Sequence, residues 1–411
     1  MCIFFKLLAF ICLFITIPTV ASTSSVLDFQ LVKFTESPYN RPAQKPYAIE
    51  NYKDDWDELN NEFFQTYTQK DFAGAKKIAQ NAYELAQQIF GGKHPNTADS
   101  LNKLGVSHEA LKDYPGALVF YKRSLEIFEL SLGKDDEKVA MELNNIANIY
   151  VAQNDYATAE MLHIRALHIR ENKFGSNNAI VAQSAYNLAM LYEKQGKMED
   201  AELFYKQATL LWEKNLGPSH PNVAKALGNL ANIFAAQGKD LAAEELHLRA
   251  LNIWQMNFGP SSLPVAESLF NLGSICTKQG KYSEAEPFFQ EALDIMEQHL
   301  GPNDPQIALA LYGLANIYHI KAKTESSYNQ ELEDRIGKIN NEKDVMPIEK
   351  KKNDIYKSQL VFRKEYIEGL YSKAEPLYKR AIKIFEQAYG NQHPSLKIMK
   401  DELAMIHNDK Q

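Results

Sequence analysis

The chain has 411 residues, is 45% hydrophobic and 24% charged, and carries a formal net charge of −7 with a pI near 5.9. It has ample apolar surface to bury, and its acidic balance excludes a nucleic-acid binder that depends on clustered Lys and Arg. The cysteines are Cys2, Cys12 and Cys276; two fall in an N-terminal leader, which excludes a disulfide or cysteine-based metal framework within one mature chain.

Residues 1–21 have the pattern of a secretory signal peptide. Lys6 supplies a thin positive region, Leu7 to Ile17 an apolar core, Pro18 a break, and Thr19-Val20-Ala21 small residues for cleavage. The core is too short for a membrane span of about 20 residues. The expected destination is therefore periplasmic or secreted; the alternative is an N-terminal membrane anchor through an uncleaved segment. Residues 22–51 show no helical period and carry Pro38, Pro42 and Pro46, so an extended linker is expected there.

From residue 52 the chain reads as helix pairs. In Val223 to Gly259, Ala226, Leu227, Leu230, Ala231 and Phe234 form one apolar helical face, Gln237-Gly238-Lys239 interrupts it, and a second amphipathic run follows to Gly259. The unit recurs: Gly91, Gly133, Gly175, Gly217, Gly259 and Gly301 stand 42 residues apart. Glycine just past a helix end supplies a left-handed stop. Second helices are expected to begin near Asp71, Asp113, Asp155, Lys197, Lys239 and Lys281. Each carries small residues at two fixed points, such as Ala243 and Ala250, and the first helices carry a third, as at Gly105, Ala147, Ala189, Ala231, Gly273 and Ala315. Small side chains there let helix axes approach closely. Proline opens several first helices, where no backbone N–H is needed.

These small-residue positions, with Tyr or Phe between them and the string NLANIF…QGK…AE…RALNIW, resemble the tetratricopeptide repeat in its 42-residue, kinesin-light-chain variety. The resemblance covers residues 52 to about 408. It implies an all-α, right-handed α-solenoid of seven helix pairs closed by a capping helix from about Ser395 to Ile406, in which Asp401 and Glu402 face water. It does not carry over a motor role, since residues 22–51 hold no heptad region and a signal peptide does not suit a cytosolic motor subunit.

The seventh pair is interrupted. Gly390 stands 89 residues beyond Gly301, 47 more than the period, so an insertion of residues 322–368 separates the two helices of that pair. Leu332, Ile336 and Ile339 keep helical spacing, as do Tyr356, Leu360 and Ile367. The expectation is an antiparallel helical hairpin turning between Asn341 and Pro347; a solvated loop is the alternative. Lys350, Lys351 and Lys352 are expected on a solvated face.

Two positions of the first helices are rich in amides. Asn61, Lys103, Asn145, Asn187, Asn229 and Asn271 stand two residues before the small position, and Asn148, Asn232 and Asn316 one residue after it. Asparagine is unfavourable inside helices, and its side chain both donates and accepts. In the resembled family such positions line a concave groove that holds an extended peptide, so these nine residues are the expected groove. Tyr186, Phe270, Tyr312, Lys194, Lys225 and Lys278 are expected on or near that face. The bland reading is that the amides only satisfy neighbouring polar groups.

His163 and His247 occupy the second-helix position that is Tyr121, Tyr205, Phe289 and Tyr378 elsewhere, so they are expected to pack as aromatic substitutes rather than bind metal. His94, His220 and His393 fall in the turns between pairs and are expected to cap helices. No phosphate loop, nucleophile motif or H-E-x-x-H occurs. The expected function is thus a non-enzymatic scaffold for a protein or peptide partner, with no cofactor, metal, small-molecule substrate or nucleic acid. The alternative is a structural or assembly role in an envelope or secreted complex.

Overall fold

A computed structural model describes residues 48–341 and 346–409. The signal pattern and most of the linker lie outside these residues. Among the described residues every element is a helix: α1 Ala48–Thr68, α2 Phe72–Phe90, α3 Pro95–Ala110, α4 Tyr114–Leu132, α5 Glu137–Ala152, α6 Tyr156–Phe174, α7 Ala179–Lys194, α8 Met198–Leu216, α9 Pro221–Ala236, α10 Asp240–Phe258, α11 Leu263–Lys278, α12 Tyr282–His299, α13 Pro305–Asn341, α14 Pro347–Tyr389 and α15 Pro394–Asp409. They make two compact units whose boundary, between Ala226 and Leu227, falls inside α9.

Within each unit, helices that follow one another in sequence pack together, from α1 to α8 in the first and from α10 to α15 in the second. The cores lie between pairs. Phe63 and Tyr67 of α1, Ala75, Ala79 and Tyr83 of α2, and Leu101 and Leu104 of α3 form one cluster; Ala98, Phe128, Val139, Leu143 and Ala166 form the next. Neither helix of a pair buries its apolar face alone, as a repeat array requires. The small positions explain the close approach. A Cβ on Gly105 would stand 2.5 Å from the ring of Tyr121, and one on Gly273 would stand 3.1 Å from Phe289.

The turns follow the expected register. Gly91, Gly133, Gly175, Gly217, Gly259 and Gly390 all have φ between 76° and 93° just past a helix end, where a side chain would be strained. Gly301 departs: α12 ends one residue earlier, and its cap Leu300 is extended with φ −106°. The N-caps of α2, α4 and α6 are Asp71, Asp113 and Asp155, each accepting from the backbone N–H three residues on. The caps of α8 and α12, Lys197 and Lys281, make no such bond. Each instead reaches the preceding pair: Lys197 and Gln195 meet Glu160, and Lys281 and Gln279 meet Glu244. The Asp turns cap their own helix, whereas the Gln-Gly-Lys turns tie one pair to the pair before it. His94, His220 and His393 each accept a backbone N–H through Nδ1, as expected of caps.

The insertion is a helical hairpin. A usual first helix has 16 residues, as in α11, but α13 runs for 37, ending at Asn341, and α14 for 43, beginning at Pro347; the turn expected there falls outside the described residues. Leu332 and Ile367 are buried between them, Asn353 Nδ2 donates to Asn340 Oδ1 at 2.7 Å, and Lys364 pairs with Glu333 at 2.7 Å. Lys350, Lys351 and Lys352 are exposed. The last helix corrects one expectation. Asp401 is exposed, but Glu402 is 5% exposed and faces His319 of α13 at 3.3 Å, while Asp409 meets the other ring nitrogen at 3.1 Å. The end helix keeps an acid because a buried histidine lies beneath it, not because that face is wet.

Candidate groove on the first helices

The first helices of successive pairs touch each other directly, α5 with α7 in one unit, α11 with α13 and α13 with α15 in the other. That contact places the residues they present toward each other along one face within each unit. The amide positions divide on this face according to their turn around the helix.

Two residues before the small position, the side chains are incompletely buried, although the amide nitrogen of Asn145 is enclosed. Asn145, Asn187, Asn229 and Asn271 are half-buried and Asn61 is exposed. Asn187 accepts from Gln183 Nε2 at 2.9 Å, one turn earlier on the same face. Lys103 holds this register in α3, with its ammonium 5.9 Å from the ring centre of Trp56 and 5.7 Å from that of Phe64. Burial lowers its pKa from the ordinary lysine value, against the opposing pull of Asp99. Asp99 itself pairs with Lys138 at 2.6 Å. Lys225, further along the first unit, lies over Tyr186 at 4.7 Å from the ring centre. The face is thus mixed, with amides between lysines held over aromatic rings.

One residue after the small position, the helix has turned about 100° toward its partner, and two of three amides serve the pair. Asn316 is 3% exposed and accepts from the Tyr378 hydroxyl; it is not a groove residue. Asn232 is exposed but its Oδ1 meets His247 Nε2 at 3.1 Å. Asn148 remains half-buried. A buried hydroxyl or imidazole needs a polar partner, and these amides supply it. Tyr186 and Tyr312 are likewise corrected to core residues, at 3% and 6% exposure, packed edge-on against Tyr205 and Tyr378. Phe270 and Lys278 are half-buried, and Lys278 is bound to Asp240 at 2.6 Å; Lys194 is exposed.

His163 and His247 are each 1% exposed, as aromatic substitutes should be. Burial lowers their pKa values to about 3 and about 4. Among the described residues no group of three His, Cys, Asp or Glu is placed to hold a metal ion. Cys276 is buried, and burial raises its thiol pKa to about 11, far from a reactive thiolate.

A buried polar network behind this face was not read from the sequence. Glu142 of α5 is fully buried, and its Oε1 accepts from Asn102 Nδ2 at 2.8 Å and from Ser124 at 2.7 Å. Burial raises its pKa to about 8, so the acid is largely protonated at neutral pH. His163 Nδ1 lies 2.7 Å from Asn144 Oδ1. Tyr121 and Tyr205 donate to Glu109 and Glu193 of their own pairs at 2.7 and 2.6 Å. A partial signal was present: at the register of Glu142 the helices α3, α7, α9, α11 and α13 carry Ser100, Ser184, Ala226, Ser268 and Ala310, and α1 carries an exposed Glu58.

The sequence matches the model of the tetratricopeptide repeat over residues 65–129, 139–209, 204–256, 222–298 and 264–327, more than half of the chain. No curated protein matches it significantly. Among solved structures it is similar to BtubC (BKLC) from P. vanneervenii, at 21% identity over 67% of this chain and 92% of that one, with a TM-score of 0.49. It is also similar to a putative kinesin light chain of Podosopora anserina with nearly identical TPR-like repeats, at 19% identity over 51% and 99% of the two chains, TM-score 0.44. A third similar structure is the apo form of the quorum sensor NprR from B. thuringiensis, at 13% identity over 86% and 87%, TM-score 0.48.

Proposed function

The chain belongs to the tetratricopeptide-repeat family, and from that membership we propose that it is a non-enzymatic scaffold gripping an extended peptide segment of a protein partner. The face lined by the first helices takes the peptide. One observation carries the reading: Asn187 in the first unit, and Asn229 and Asn271 in the second, are only half-buried at one register although asparagine disfavours helix; Asn145 shares the register, with its amide nitrogen enclosed. An amide pairs with both the N–H and the C=O of an extended backbone, so the main chain gives affinity and the spaces between pairs give selectivity. The leader pattern of residues 1–21 supports export, placing the partner outside the cytoplasm.

Peptides selected from a random library on the full chain provide the probe. Each amide-to-backbone bond contributes about 0.5–1.5 kcal/mol. Asn145→Ala with Asn187→Ala, or Asn229→Ala with Asn271→Ala, should raise Kd by roughly 5- to 100-fold while the far-UV spectrum is unchanged. Unchanged affinity in both double variants would remove the groove from the account.

A further inference from the structure

We propose that Glu142 decides which end of the Asn145 amide faces the groove. While the carboxyl group carries a proton, the amide oxygen turns inward and the nitrogen is offered outward. When the proton leaves, the nitrogen turns inward and the oxygen is offered. The consequence for a bound peptide rests on the groove reading above; the turn of the amide does not.

Two adjoining groups are left unmet. Glu142 Oε1 already accepts from Asn102 Nδ2 and from Ser124 Oγ, at 2.8 and 2.7 Å, which fills that oxygen. Oε2 is enclosed with no hydrogen-bond partner, and so is Asn145 Nδ2. The two residues stand three apart on α5, so their side chains are neighbours, and the amide is near enough to favour the ionised carboxylate. With Oε1 occupied, the carboxyl proton belongs on Oε2. There an O–H would face an amide N–H inside the fold, donor against donor. An enclosed O–H needs an acceptor, and a half-turn of the Asn145 amide supplies its oxygen. The terminal torsion of asparagine is broad and roughly two-fold, so the turn costs little. Loss of the proton reverses it, because a carboxylate only accepts.

The charged groups of the surrounding helices have partners of their own. Asp99 of α3 disfavours the Glu142 charge, as burial does, and is paired with Lys138 at 2.6 Å. Tyr121 of α4 gives its hydroxyl proton to Glu109. On α6, His163 is bonded to Asn144, and Arg170 to Glu137 and to Ser184 of α7. The device is particular to this pair. Ser184, Ala226 and Ser268 stand at the Glu142 register beside Asn187, Asn229 and Asn271, and Glu58, beside Asn61, is exposed.

Solvent paramagnetic relaxation on the full chain, labelled at asparagine, tests this, with the Asn145 amide signal assigned by its loss in Asn145→Ser. Below the Glu142 step at about pH 8, a soluble gadolinium chelate should relax the amide N–H groups strongly; above it they should be shielded. Glu142→Gln should abolish that step, and the Asn187 amide should show none in the parent chain. The peptide arm uses an acetylated, library-selected peptide without titratable side chains whose affinity depends on Asn145. Selected below the step, it should bind about 2- to 10-fold more weakly above it, the worth of one hydrogen bond. Equal shielding of the Asn145 amide on both sides of the step, a step that persists in Glu142→Gln, or such a peptide binding equally at both pH values would each overturn the proposal. If no peptide is selected, the groove reading falls, and the relaxation result still decides the turn of the amide.

Discussion

Asn102 donates a hydrogen bond from one helix pair to the buried carboxyl group of Glu142 in the next, 2.8 Å away. The contact joins neighbouring pairs through a polar group that an apolar stack does not need, and it makes that joint sensitive to protons. Half-buried first-helix amides and the buried Glu142 thus share the same helices, and the acid joins one pair to the next.

The joint has a pH signature. Unfolded, Glu142 titrates near its ordinary 4.5; folded, near 8, because burial disfavours the charge. Its contribution to stability is fully present below 4.5, falls as pH rises from 4.5 to 8, and is gone above 8. Glu142→Gln can accept the same two hydrogen bonds and carries no charge. Its melting temperature minus that of the parent should grow from pH 5 to pH 8 and then level off. Parallel melting curves across that range would mean the acid is not buried as described.

His247 gives the opposite slope. Its folded pKa, about 4, lies below the ordinary 6.5 because of burial, so the unfolded chain takes up a proton first as pH falls. Stability is lost between 6.5 and 4. Tyr378 occupies the same register and bonds Asn316, as His247 bonds Asn232. His247→Tyr should therefore fold and should melt higher than the parent at pH 4.5, with a smaller difference at pH 7.5. Equal differences at both pH values would contradict the assignment.

Close approach at the small positions predicts a graded pair of substitutions. A methyl group on Gly105 meets the Tyr121 ring at 2.5 Å, whereas on Gly273 it meets Phe289 at 3.1 Å. Overpacking costs about 1–3 kcal/mol, so in urea unfolding Gly105→Ala should lose clearly more stability than Gly273→Ala. The reverse order would show that the rings yield more easily than the backbones.

The end of the stack rests on His319. With Glu402 and Asp409 both facing its ring, His319→Ala should leave the buried Glu402 without that partner, Asp409 with only Lys323 at 3.7 Å, and α15 looser. Hydrogen exchange across residues 394–409 should quicken while the other helices keep their protection. Uniform quickening of the whole chain would point to a general packing defect instead.

Much of this was legible in the residues. The turns between pairs announce themselves because glycine takes positive φ there and proline suits a helix start, as at Pro347 of α14, whereas Lys70, Lys112 and Asn154 hold positive φ inside three pairs without such a mark. The hairpin was legible because apolar spacing persists through the insertion. The candidate groove was legible only by half. Counting residues places a side chain on a face, yet Asn316 and Asn232 are claimed by rings of the partner helix, whose reach depends on the close approach of the two axes. Glu402 was misread for the same reason: a terminal helix usually turns acids to water, and only the fold shows His319 underneath.

The central claim is that a peptide lies against the first helices. Photo-cross-linking from a library-selected peptide carrying a benzophenone side chain, with the attachment sites mapped by mass spectrometry, tests it most directly. Attachment to α5 and α7 beside Asn145 and Asn187, or to α9 and α11 beside Asn229 and Asn271, is the predicted result. Attachment to the exposed side of the second helices, at residues such as Met161 or Leu203, would contradict it.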